Sequence, residues 1–150
     1  LVGSEMCIRD RARSAAAEAA AADRALAALD VVGLRQSSAA PVHGLPFATQ
    51  KRVELARALV SRPRLLLLDE PAGGLNHHEV SNLADLIRRI HAQFGLTILL
   101  VEHHMNLVMS ISDHVVVLNF GRTIAAGTPD DVRGNAAVIE AYLGAGHDAA

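Results

Sequence analysis

Two adjacent carboxylates, Asp69 and Glu70, follow four consecutive leucines, Leu65, Leu66, Leu67 and Leu68. Such a run has the length of a strand buried on both faces of a parallel sheet. In open α/β sheets, ligands bind beyond the carboxyl ends of the strands. An aspartate placed there can hold a hard cation such as Mg²⁺ through oxygen. A glutamate beside it can polarise a water for attack on a phosphate. A buried strand followed by two acidic turn residues would explain the same segment without chemistry. A third reactive group, His103, comes two positions after another apolar run at 96–101. Taken alone, it reads as a satisfied loop histidine.

The elements that must position these groups follow from periodicity and turn chemistry. Residues 12–29 are rich in alanine and carry Glu18, Asp23 and Arg24, so they read as a helix, with Gly33 as its stop. Residues 36–44 form a Ser/Pro/Gly loop. A second helix is expected over 50–60 with Val53, Ala56, Leu59 and Val60 inward, and Pro63 precedes the leucine strand. Asn76 caps a third helix with Glu79 three residues on. Its buried stripe is Val80, Leu83, Ile87, Ile90 and Phe94, with Asp85 and Arg89 paired on another face.

Beyond the strand at 96–101, a short helix is expected over 104–110 and a strand over 115–118. Asn119-Phe120-Gly121 turns that strand into a hairpin with 122–126. Thr128-Pro129-Asp130-Asp131 starts a helix, and a last helix spans 135–143 with Gly144 as its stop. The alternation implies an α/β fold with a mainly parallel sheet flanked by helices.

Composition narrows the function. The 150 residues suffice for one domain with its own core. The net charge of −2 gives no basic field for nucleic acid, and aromatic residues at 3% leave few platforms for stacking bases. No apolar run approaches the roughly 20 residues of a spanning helix. The single Cys7 cannot form an internal disulfide, which fits a reducing compartment. The pairs His77-His78 and His103-His104 are expected to point apart as helical neighbours and to make poor metal chelates. Residues 1–11 show neither helical nor strand periodicity and lack a signal-peptide core. They are expected to be a non-native or disordered tail on a chain that begins partway through a larger protein.

Ahead of the leucine strand, residues 45–59 read LPFATQKRVELARAL, a loop entering a helix N-terminus, where amides and dipole favour an anion. Lys51 and Arg52 in that first turn are placed against the dipole unless an anion is near. The order of this loop and helix, then Pro63, then LLLLDEP, then Gly74-Leu75-Asn76, an apolar strand and His103 resembles the layout of ATP-binding cassette (ABC) ATPases over 24–143. The resemblance implies a partial P-loop NTPase-like fold, ATP and Mg²⁺ as cofactors, and a Walker B motif at 65–70. By that likeness Asp69 acts on Mg²⁺, Glu70 is the general base, and His103 is the switch histidine at the γ-phosphate. Asn76 stands in the D-loop, and Ala48, Thr49 and Gln50 stand at signature positions.

The implied organisation is a helical-subdomain portion at 12–60, the rest of the ATPase core at 61–133 and a short tail helix at 134–150. The Leu-Pro-aromatic signature start, Pro71-Ala72-Gly73-Gly74-Leu75-Asn76, Val101-Glu102-His103 and the ending VIEAYLG resemble the ATPase subunit of branched-chain amino acid importers. That likeness implies transmembrane permease subunits, a second ATPase subunit in a homo- or heterodimer, and indirectly a periplasmic binding protein as partners. It implies no nucleic acid, and a place on the cytoplasmic face of the inner membrane.

Two departures matter. No G-x-x-x-x-G-K-[ST] phosphate loop occurs in the sequence, so this chain alone is expected to hydrolyse ATP negligibly. The signature, usually Leu-Ser-Gly-Gly-Gln, has Pro46, Phe47, Ala48 and Thr49 in its last four places. Ala48 adds a methyl where glycine lets backbone approach phosphate, while Thr49 could cap the helix and donate a hydroxyl. An unpaired apolar strand edge is also expected. Two other functions fit part of the pattern. One is a DNA-associated ABC-type ATPase head, against which stand the lack of sustained heptads and of a basic stripe. The other is an inert or partner-binding fragment, which the missing phosphate loop favours.

Overall fold

The computed structural model describes residues 3–143, with side chains over 14–142. The chain divides into two compact units, Leu1–Leu66 with Gly95–Thr97, and Leu67–Phe94 with Ile98–Ala150.

In the first unit, α1 (Gly3–Val31) packs against α2 (Phe47–Val60). The helix already includes residues 3–11, where a tail was expected. Once the alanine stretch has nucleated, adding residues at the N-terminal end needs no new nucleus. Gly33, at φ 73, turns the chain out, and the Leu34 N–H donates to Leu29 O at 2.7 Å. Short 3₁₀ turns at Arg35–Ser37 and Val42–Gly44 occupy the expected loop. Helix α2 starts three residues before the expected position. Pro46 is its cap, and the Pro46 carbonyl accepts from Thr49 N at 2.9 Å and Gln50 N at 3.0 Å. Thr49 therefore sits inside the first turn and is not the cap. Leu55, Ala56 and Leu59 are buried on α2, while Val53 and Val60 are half-buried.

Strands β1 (Leu65–Asp69) and β2 (Thr97–Val101) form a two-stranded sheet. Thr97 N donates to Arg64 O at 3.0 Å and Glu70 N to Val101 O at 2.9 Å, so both strands advance together and the pair is parallel. The expectation of burial on both faces does not hold. Leu66 and Leu68 are buried at 5% and 9%, but Leu65 and Leu67 are 51% and 64% exposed. On β2, Leu99 and Val101 are likewise more than half exposed. The pleat sends alternate side chains to opposite faces, and only one of those faces is covered among the described residues.

In the second unit, α3 (His77–Phe94) packs on α4 (Met105–Ile111). Leu83, Ala84, Leu86, Ile87 and Ile90 are buried on α3, and Leu107 on α4. Val80 is half-buried, and Phe94 is 49% exposed because the helix ends there and Gly95, at φ 58, redirects the chain. Asp85 pairs with Arg88 at 2.6 Å rather than with Arg89. Arg88 gains a further bond to Ser110 O at 3.0 Å, which decides between the two arginines.

Strands β3 (Val115–Asn119) and β4 (Arg122–Gly127) form an antiparallel hairpin with Asn119 opposite Arg122. Phe120 and Gly121 have φ 47 and 74, the primed two-residue turn that suits the strand twist. That turn sends β4 straight back along β3, and the strands among the described residues form two two-stranded sheets, one parallel and one antiparallel. Thr128 caps α5 (Pro129–Arg133) in a reciprocal capping box with Asp131. Asn135 caps α6 (Ala136–Val138), which continues as a wider π turn over Ile139–Leu143 instead of one regular helix. In that turn the Tyr142 hydroxyl donates to Leu118 O at 2.6 Å. The expected stop at Gly144 lies outside the described residues. Val115, Val117, Val132 and Val138 form the core under the hairpin. No helix among the described residues is long and apolar enough to cross a membrane.

Candidate functional site

The second unit brings the ends of β1 and β2 together. Asp69 ends β1 with its side chain exposed, as a cation ligand open to solvent must be. Glu70 follows at φ 43, in the left-handed region. Its N–H bonds Val101 O at 2.9 Å, and its carbonyl accepts from Gly73 N at 3.1 Å. This backbone angle turns the carboxylate out of the strand direction, and the side chain is 62% exposed. The His103 Nδ1 lies 3.6 Å from Glu70 Oε1. The structure thus brings two candidate catalytic side chains together, although 33 positions separate them in the numbering. A β-carbon at Gly73 would meet Glu70 O at 3.3 Å, so the tight turn after Glu70 favours a residue without one.

The turn continues with Leu75 N bonded to Ala72 O at 3.1 Å and ends at Asn76. Asn76 Oδ1 accepts from Glu79 N at 3.0 Å, and Asn76 N donates to Glu79 Oε2 at 2.9 Å. The capping box is therefore closed, and Asn76 is held at the N-terminus of α3 with its residue exposed.

Glu102 is the residue that sequence reasoning missed as a site component. Its side chain is fully buried. Oε1 accepts from Ala72 N at 2.8 Å, and Oε2 accepts from His103 N at 3.0 Å and His104 N at 3.2 Å. The His104 Nδ1 is 2.9 Å from Oε2. Burial pushes the carboxyl up, but the bonds from the His104 side chain and the three backbone N–H groups outweigh it and hold the group below 4.5. The available signal was an acidic residue at the end of an apolar strand, where burial demands partners.

Glu102, His103 and His104 offer ligand atoms within 4.8 Å of one another, closer than helical neighbours would allow. The reason is that His104 precedes α4 at φ −78 and ψ 90, so the imidazoles of His103 and His104 lie with their centres 4.4 Å apart and their planes tilted by 37°. Glu102 Oε2 is already occupied by two amide N–H groups and the His104 ring, which leaves it a poor cation ligand.

A carboxylate held low in the folded state stabilises it wherever the unfolded carboxyl is ionised. The Glu102 contribution is therefore complete above about pH 4.5 and is lost as pH falls through the depressed folded value. Urea titrations at pH 7, 5, 4 and 3 are expected to show this acid-side loss, reduced in Glu102→Gln. Asp131, held low first by the Thr128 hydroxyl and then by its N–H, titrates in both proteins and cancels in the comparison.

In the first unit, the signature positions sit on the first turn of α2, with Ala48, Thr49 and Gln50 all half-buried. Gln50 Nε2 donates to Leu45 O at 2.8 Å, so its amide is turned back onto its own loop. Lys51 lies 3.4 Å from Glu54 and 5.5 Å from the centre of the Phe47 ring. These contacts offset the unfavourable dipole without a bound anion.

Residues 2–73 match the sequence profile of the ABC transporter family, and residues 122–148 match that of the branched-chain amino acid ATP-binding cassette transporter. Both profiles are those of ABC transporters. It is 47% identical over 116 residues to the high-affinity branched-chain amino acid transport ATP-binding protein BraF of Pseudomonas aeruginosa, covering 77% of this chain and 46% of BraF. It is 44% identical over 128 residues to LivG of Escherichia coli K12, a protein of the same description, covering 85% of this chain and 50% of LivG. Among solved structures, the ADP conformation of MJ1267, an ATP-binding cassette of an ABC transporter, superposes with a TM-score of 0.76 at 26% identity over 83% of this chain and 50% of that one. The cbiO1 protein of Clostridium perfringens, part of the ABC transporter complex cbiONQ, gives 0.71 at 35% identity over 79% of this chain and 47% of that one. The chain spans about half the length of the curated relatives it matches.

Proposed function

We propose that this chain is the C-terminal portion of the ATP-hydrolysing subunit of an ABC importer for branched-chain amino acids. The carrying observation is the Glu70 carboxylate 3.6 Å from the His103 imidazole, beside Asp69 at the end of β1. Asp69, an exposed hard oxygen donor, is the residue suited to Mg²⁺, which neutralises developing phosphate charge when bound. Glu70 orients and deprotonates the attacking water, and His103 contacts the γ-phosphate of ATP. Asn76 and the signature positions Ala48, Thr49 and Gln50 serve the nucleotide from a partner ATPase subunit. Gln50 leaves Leu45 O to do so. The phosphate-cradling loop comes from residues other than these. Residues 12–60 are part of the helical subdomain, 61–133 the remainder of the ATPase core and 134–150 the tail of the branched-chain type. The partners are the transmembrane permease subunits, a second ATPase subunit and, through them, a periplasmic binding protein. The subunit sits peripherally on the cytoplasmic face of the inner membrane.

The test is a chimaera in which this chain replaces the 128 matching residues of Escherichia coli LivG in a strain lacking its own LivG. Leucine uptake and ATP turnover with the cognate permease are the expected results. A stable chimaera that co-purifies with the permease but neither hydrolyses ATP nor supports uptake overturns the reading. Salt-sensitive DNA binding in its place would indicate the DNA-associated alternative.

A further inference from the structure

Glu102 makes no hydrogen bond to either reacting side chain, yet among the described residues it is the side chain that hydrogen-bonds both of the segments that carry them. One oxygen, Oε1, is bonded to Ala72 N in the turn that follows Glu70, at 2.8 Å. The other, Oε2, is bonded to the amides of His103 and His104, at 3.0 and 3.2 Å, and to the His104 ring at 2.9 Å. Its distance to His103 Nδ1 is 3.8 Å. A fully buried carboxylate whose two oxygens serve different segments works as a short rigid strut, because charge-assisted bonds are shorter and stronger than neutral ones. The backbone bond from Glu70 N to Val101 O fixes the other side of the same junction.

We infer that Glu102 is a positioning residue that sets the spacing between the Glu70 carboxylate and the His103 imidazole by tying Ala72 to the two histidine amides. The role deepens the proposed catalytic reading of Glu70 and His103 and rests on it. Glutamine is the informative replacement. Its size matches, but its NH₂ must face either the Ala72 N–H or the three donors on the histidine side, so one set of bonds is lost in either orientation.

The first measurement is made by NMR on the 150-residue chain itself, without nucleotide. A through-space proton contact between the His103 ring and the Glu70 side chain is expected in the wild type and is expected to vanish in Glu102→Gln. Its persistence at equal strength in a folded Glu102→Gln overturns the inference, as does its absence from the wild type. Should Glu102→Gln not fold, the wild-type amide shifts of Ala72, His103 and His104 decide alone between pH 7 and 3. A single common midpoint, unchanged in Glu70→Gln so that the neighbouring carboxylate is not its source, supports the strut. Separate midpoints overturn it. In the LivG chimaera, Glu102→Gln is expected to lower kcat by about 10-fold or more at unchanged KM for ATP, as misplacement of catalytic groups does. An unchanged kcat overturns the inference. A chimaera with no activity at all counts against the proposed function, while the NMR result stands independently.

Discussion

ATP turnover by the LivG chimaera falls by about 10²–10⁴-fold when Glu70 becomes glutamine, the range that general-base removal produces. Glutamine keeps the size of the side chain and a polar end beside His103, 3.6 Å away in the native geometry, but it cannot take a proton from water. Nucleotide affinity is expected to stay within about twofold, because a group that acts only in the transition state leaves ground-state binding alone. Turnover is read by phosphate release, and affinity by binding of a fluorescent ATP analogue. Retention of more than about a tenth of the turnover would remove Glu70 from the role of base.

The largest effect on stability is expected at Leu86→Ala, with a loss of about 2–5 kcal/mol. Leu86 is completely buried on α3, so trimming the isobutyl group to a methyl leaves a cavity that neighbouring side chains fill only in part. Phe94→Ala, eight positions along the same helix, removes a larger side chain that is 49% exposed. It should cost far less, because a half-exposed ring leaves no enclosed void. Urea unfolding of both variants, followed by circular dichroism, ranks the two. Equal losses would mean that α3 is not held by the face carrying Leu86.

What the sequence disclosed was chiefly what short-range chemistry determines. The capping box of Asn76 and Glu79, the start of α5 at Thr128 and the Phe120-Gly121 turn each depend on residues within four positions, and each formed as expected. The strand that ends at Asp69, just before Glu70, was equally legible, because an apolar run followed by carboxylates is itself a local pattern. Tertiary context decided the rest. Which of Arg88 and Arg89 pairs with Asp85 depended on Ser110, 22 residues beyond Arg88. The bond between Ala72 and Glu102 spans 30 residues and leaves no periodic trace. Alternate burial along β1 could not be read from four identical leucines, since a pattern of hydrophobicity does not say which faces are covered. In the candidate site, the residue types of Asp69, Glu70 and His103 were legible, whereas the proximity of Glu70 to His103 was not.

The backbone angle at Glu70 sets durability against use. A side chain with a β-carbon at φ 43 gives up about 1 kcal/mol or more compared with a residue suited to that region. Asparagine tolerates such an angle without glycine's extra freedom in the unfolded chain. Glu70→Asn should therefore give a protein that melts later and, on the proposed role, no longer turns over ATP. A screen that rewards only heat tolerance would drift toward that substitution and discard the base. Any effort to harden this cassette half must hold position 70 fixed and seek its gains elsewhere.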